Sequence, residues 1–165
     1  MNDREAWLFG KGPSIDTYDF SKANRFRFCV NEAVLVVPEP CGVFTVNLRV
    51  METLRREMDP AVPVYLSERR PDIVFPITKR FGGQQPGSTA CAVREISRQG
   101  FKTLHMVGFD SLAGEYAYAD RFTGKGWVTP TCAANFDSMN VHVRRVIKQT
   151  GIRALLPSGE EVRCD

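Results

Sequence analysis

The feature that most limits how this chain can fold is its first apolar run, Trp7-Leu8-Phe9, which stops at Gly10-Lys11-Gly12-Pro13-Ser14-Ile15-Asp16. Three apolar residues followed by Gly-x-Gly read as a buried strand entering a tight turn, where backbone N–H groups can come close to an anion. That is the shape of a nucleotide-phosphate site, with Gly10, Lys11, Gly12 and Ser14 as its candidate residues. The same pattern also suits an ordinary strand-to-helix turn in which the glycines supply only backbone freedom. It departs from the dinucleotide fingerprint, because Ile15 stands where the third glycine belongs and Pro13 removes one donor.

Further strands end in polar residues in the same way. Phe26-Arg27-Phe28-Cys29-Val30 alternates and ends at Asn31-Glu32, and Gly42-Val43-Phe44-Thr45-Val46 ends at Asn47. In open α/β sheets ligands bind outside the carboxyl ends of strands, which makes Asn31, Glu32 and Asn47 candidates for contacting a ribose or base. A helix is expected from Leu48 to about Met58, stopped by Asp59-Pro60, then a strand over Pro63–Leu66. The loop after it carries Arg69 and Arg70, which suit a phosphate or a solvated face.

A second glycine-rich turn, Phe81-Gly82-Gly83-Gln84-Gln85-Pro86-Gly87-Ser88, leads into a helix from Ser88 to about Gln99. Ser88 there is an N-cap or a phosphate ligand. The strand Thr103–Gly108 ends at Phe109-Asp110, making Asp110 a site candidate, while His105 inside it reads as a packed residue. Residues 111–132 are polar and aromatic without periodicity, and are expected to form a lid. A helix from about Asn135 to Thr150, with Met139, Val143, Val146 and Ile147 inward, precedes the last strand, Ile152–Pro157. Alternating strands and helices predict a three-layer α/β/α, Rossmann-like fold with a mostly parallel sheet, in one domain over residues 1–165.

A length of 165 residues suits a single core, and a net charge of +3 spread along the chain does not call for nucleic acid. Five cysteines without Cys-x-x-Cys spacing read as reduced thiols rather than metal ligands. The chain has no apolar run long enough for a membrane span and a polar start, so the expectation is a cytoplasmic protein without an integral membrane segment. An oligomer is compatible with the sequence.

The Gly10-Lys11-Gly12-Pro13-Ser14 turn, Phe28-Cys29-Val30-Asn31, Val43-Phe44-Thr45-Val46-Asn47, Gly87-Ser88-Thr89 and the run from Gly100 to Asp110 followed by Tyr116-Ala117-Tyr118-Ala119-Asp120 occur in an order that resembles the small bacterial sialyltransferases and related Gly-x-Gly-Pro-Ser proteins. The resemblance implies that Gly10, Gly12, Ser14, Asn31 and Ser88 contact a cytidine nucleotide, and that Tyr116 or Tyr118 assists the leaving phosphate. Lys11 replaces the family's Asn, and no histidine stands at Cys132–Asn135, where the family's catalytic histidine falls. Asp120 or Asp137 is the candidate substitute base.

The reading is a glycosyltransferase-like protein using a nucleotide-activated sugar, CMP-linked first, with no further cofactor or metal. The catalytic candidates are Tyr116, Tyr118 and Asp120. A non-catalytic nucleotide or nucleotide-sugar binding protein of the same fold is the alternative. A nicotinamide-dependent oxidoreductase is a further one, because Glu32 lies 20 residues after Gly12. A pyrophosphokinase-like enzyme is another, because the turn is similar to that of certain pterin-processing enzymes.

Overall fold

Strands and helices alternate along the chain as the hydrophobic pattern requires. The computed structural model describes residues 4–46, 48–66, 79–80, 87–127 and 133–164. In order these form β1 (Glu5–Phe9), α1 (Ser14–Thr17), β2 (Arg27–Val30), β3 (Gly42–Thr45), α2 (Leu48–Glu57), β4 (Val64–Leu66), β5 (Lys79–Arg80), α3 (Ser88–Arg98), β6 (Thr103–Val107), α4 (Asp120–Thr123), α5 (Ala133–Thr150) and β7 (Arg153–Leu155). Short 3-10 helices cover Phe20–Lys22, Asn31–Leu35 and Asp110–Ala113.

The strands make one seven-stranded sheet in the order β5-β4-β3-β2-β1-β6-β7, with every neighbouring pair parallel. The inner strands β1, β2, β3 and β6 are buried on both faces along most of their length, which is why the sequence shows near-continuous apolar runs there. Alternate residues serve two separate cores. Ala6, Leu8, Phe28, Val30, Phe44, Leu104 and Met106 pack under α3 and α5, where Ala90, Ala92 and Ile96 meet Val143, Val146 and Ile147. Trp7, Phe9, Cys29, Val43 and Val107 face the other way, onto Ile15 of α1, Val50, Met51 and Leu54 of α2, and Phe122 of α4. Helices therefore cover both faces of the sheet in a three-layer, Rossmann-like α/β arrangement. Each fully buried Leu or Phe stabilises it by about 1.5–3 kcal/mol.

The topology has a single reversal. From β1 the chain builds outward through β2, β3, β4 and β5, and α3 then carries it back so that β6 pairs with the other side of β1. Phe9 lies opposite Val107, so the turns that follow β1 and β6 leave the sheet side by side. Such a switch point opens a crevice at the carboxyl edge.

Two differences from the sequence pattern have physical reasons. The two-residue β5 is too short to leave a periodic signal. Met139, expected inward, is 43% exposed. Its helix starts at the carboxyl edge of the sheet, so its first turns overhang the crevice, and of the four residues expected inward Val143, Val146 and Ile147 reach the core. Of residues 111–132, expected as a lid, the described part, 111–127, is tied to the domain at three points: Leu112, Ala119 and Phe122 are buried, and Ala119 N–H donates to Lys11 O at 2.8 Å. Three buried anchors among mostly exposed residues are too few to register as a periodic pattern. Asn47, Arg69, Arg70, the glycines at 82 and 83, and Cys132 lie outside the described residues. Among the described residues, no helix is long and apolar enough to cross a membrane.

Candidate functional site at the sheet switch point

A cleft of about 300 Å³ opens at the switch point, between the turns after β1 and β6 and under the first turns of α5. That volume is at the lower end of the range for small-molecule sites. Gly10, Lys11, Gly12, Asn31, Glu32, Asp110 and Tyr118, seven of the sequence candidates, line it together. Ser14, Ser88, Tyr116 and Asp120 do not.

The glycine turn is used differently from the sequence expectation. Gly10 N–H donates to Val107 O at 2.8 Å and Gly12 N–H to Gly108 O at 2.7 Å, so the turn is stitched to the end of β6. The Ser14 N–H points at the carboxylate of Asp110, 3.3 and 3.2 Å from its two oxygens. Ser14 Oγ donates to Asp110 Oδ2 at 3.0 Å and accepts from Gly108 N–H at 2.8 Å. The anion at the mouth of this turn is thus the protein's own Asp110. Of the amides in residues 10–14, Lys11 N–H alone has no partner among the described residues.

This stitching explains the glycines. A Cβ on Gly12 would fall on Asp110 Oδ2, and one on Gly10 would meet Gly108 O at 2.6 Å. Gly108 in turn has φ +79°, and a Cβ there would lie 2.6 Å from Gly10 O. Two loops at backbone contact admit no side chains on the facing positions.

Lys11 carries the functional interest of the turn. With both neighbours lacking side chains, its own chain reaches across the crevice to Glu32, where Nζ lies 2.7 Å from Oε2. The side chains are 13% and 3% exposed, so this is a nearly buried ion pair. Its ammonium also sits 5.5 Å from the centre of the Tyr118 ring, within cation–π range. Lys11 is the one cation lining the cleft among the described residues, beside the carboxylates of Glu32 and Asp110.

Asn31 and Ser88 meet as a pair. Ser88 Oγ donates to Asn31 Oδ1 at 3.2 Å and accepts from Val46 N–H at 3.0 Å, tying the ends of β2 and β3 to the start of α3. Asn31 adopts φ +54°, a left-handed conformation that asparagine tolerates better than most residues. Ser88 is the first residue of α3, with Gly87 in the capping position, so it is not the N-cap expected from sequence. Its neighbour Thr89 faces the cleft instead.

The two tyrosines separate. Tyr118 lines the cleft, whereas Tyr116 is 42% exposed and donates its O–H to Asp137 at 2.6 Å. That hydrogen bond to a carboxylate raises the Tyr116 pKa above its ordinary value. Asp120 opens α4 with its side chain exposed, and its carbonyl accepts from Thr123 Oγ1 and Gly124 N–H. Neither Asp120 nor Asp137 borders the cleft. His105 is packed, stacked on Trp7 with ring centroids 4.2 Å apart and 3.4 Å from Glu5 Oε2.

Sequence reasoning missed the apolar wall of Trp127, Phe136 and Met139 and the hydroxyls of Thr53, Thr89 and Ser111. A tryptophan at the end of an aperiodic, glycine-bearing segment was the available signal for the first. The others sit on helices whose rotation about the crevice only the packing sets. No group of His, Cys, Asp and Glu among the described residues has a metal-holding arrangement. No protein-family model, curated protein or solved structure matches the chain.

Proposed function

We propose that the switch-point cleft binds a nucleotide-activated sugar, CMP-linked first, and that the chain acts as a glycosyltransferase on it. What supports this reading is convergence. Gly10, Gly12, Asn31 and Tyr118, four of the residues selected by their resemblance to a nucleotide-sugar site, line one crevice at the edge where α/β sheets bind ligands. Because the turn amides are engaged, the phosphate falls to the Lys11 ammonium and its N–H. The apolar wall of Trp127, Phe136 and Met139 offers the base a face to pack on. In transfer, the bond between the sugar and the phosphate oxygen breaks and charge grows on the departing phosphate. Lys11 is placed to stabilise that charge, with the Tyr118 ring beside it.

One observation favours a second reading, a binding protein without turnover. Both carboxylates lining the cleft among the described residues are engaged, Glu32 by Lys11 and Asp110 by Ser14. An acceptor hydroxyl needs a base, and a positioned one contributes about 10²- to 10⁴-fold.

The test is a thermal-shift series with CMP, CDP, UMP, UDP, GDP, NAD and inorganic phosphate. A ligand at a hundred times its Kd stabilises by about 2.7 kcal/mol. In a chain of this size that raises the midpoint by about 5–11 °C. CMP or CDP is expected to produce the shift and Lys11→Met to remove most of it. No shift with any nucleotide refutes the site. A CMP shift without consumption of any CMP-linked sugar selects the binding protein.

A further inference from the structure

Glu32 has an unused oxygen. It is the second residue of the 3-10 helix Asn31–Leu35, is 2% exposed, and borders the cleft. Its Oε2 accepts from Lys11 Nζ at 2.7 Å, and its Oε1 has no protein partner among the described residues. An ionised carboxylate can accept about four hydrogen bonds, and Oε1 is not sealed inside the protein but opens to the cleft, where it can take a hydrogen bond from a ligand. A group arriving in the cleft to satisfy Oε1 must be a donor. It must also be neutral, because a cationic donor would sit beside the Lys11 ammonium on the same carboxylate. Lys11 for its part keeps two further N–H donors for an acceptor. The pair therefore presents, side by side, an acceptor for a hydroxyl and a donor for an anion.

We propose that Glu32 is a specificity-determining residue that accepts a hydrogen bond from a ribose hydroxyl at Oε1 while Lys11 meets the phosphate of the same ligand. The cleft then selects ribonucleotides over their deoxy counterparts. This deepens the nucleotide reading of the site and rests on it. Glu32 acts on binding and on the choice of sugar, and takes no part in bond making.

The experiment is calorimetric titration of the protein with CMP, 2′-deoxy-CMP and 2′,3′-dideoxy-CMP, alongside UMP. A lost hydrogen bond to a charged group corresponds to a drop of about 10- to 100-fold from CMP to the dideoxy compound in the wild type. In Glu32→Leu, which keeps the volume without the acceptor, the three cytidine ligands are expected to bind within about threefold of one another. Glu32→Gln retains the shape and a neutral acceptor. It is expected to give an intermediate ratio, and it carries the test if the leucine variant does not fold. Equal binding of CMP and dideoxy-CMP to the wild type overturns the assignment. So does discrimination that survives in Glu32→Leu, or a variant that changes only the preference for CMP over UMP. Absence of binding by every nucleotide is a different result, because it removes the parent reading of the cleft and this inference with it.

Discussion

Ser14 is the residue on which the resemblance and the structure make the most different demands. As a ligand group it would hold a phosphate, and its removal would cost affinity. In the fold, its hydroxyl links Gly108 N–H at 2.8 Å to the Asp110 carboxylate at 3.0 Å. Ser14→Ala deletes both bonds. The hydrogen bond to a charged acceptor is worth about 1.5–3 kcal/mol, and a buried N–H left without a partner costs about 1–3 kcal/mol. Gly108 is buried, while Asp110 is half-buried and keeps the Ser14 N–H, so the lower parts of both ranges apply and a loss of about 2–4 kcal/mol is expected. At about 2–4 °C per kcal/mol, the midpoint should fall by about 4–16 °C. Urea unfolding by circular dichroism reads the same loss as a lower midpoint at unchanged slope. Thr17→Ala is the control, since its hydroxyl makes only a long, exposed contact of 3.5 Å to Ser14 O. A Ser14→Ala protein as stable as the control would refute the stitching argument. If that protein also lost CMP binding, Ser14 would be a ligand group after all.

Three further outcomes follow from burial. The Cys29 and Cys41 thiols are pushed up by desolvation, Cys41 to about 11, so neither should react with iodoacetamide in the native protein at pH 8, whereas both should in urea. A folded pKa above the unfolded one means that this contribution to stability is whole below the unfolded value of about 9 and is lost as the pH rises toward about 11, which pH-dependent unfolding will show. Phe122→Ala, at a position with no exposure, should cost about 3–5 kcal/mol and release residues 115–127 to proteolysis ahead of global unfolding. Cleavage no faster than in the wild type would mean that the segment is held by something other than this ring.

The pattern of the chain made much of the architecture legible. Trp7-Leu8-Phe9, Phe28-Cys29-Val30 and Leu104 to Val107 read as strands because residues buried on both faces of a parallel sheet leave no polar alternation to confuse with a surface. Breakers such as Asp59-Pro60 marked helix ends by chemistry that acts locally. The site was legible in part, for the same reason that it sits at strand ends: Gly10, Lys11, Gly12, Asn31 and Asp110 all follow apolar runs directly. Tyr116 and Tyr118 could not be told apart, since the segment holding them has no period and its anchor, Phe122, becomes visible only when the second core is assembled.

What the sequence determined by itself was therefore the class of fold and the set of residues at the carboxyl edge, because strand propensity, turn chemistry and apolar periodicity depend on neighbours within a few positions. Only the tertiary structure decided what those residues do there. The pairing of Phe9 with Val107 brings two glycine turns into backbone contact, and that contact seats Asp110 where a ligand's phosphate was expected. It also turns Lys11 across the crevice to Glu32, 21 residues away in the chain. The strength and the partner of a charge depend on distance through space and on access to water, and neither is set until the sheet has closed around the switch point.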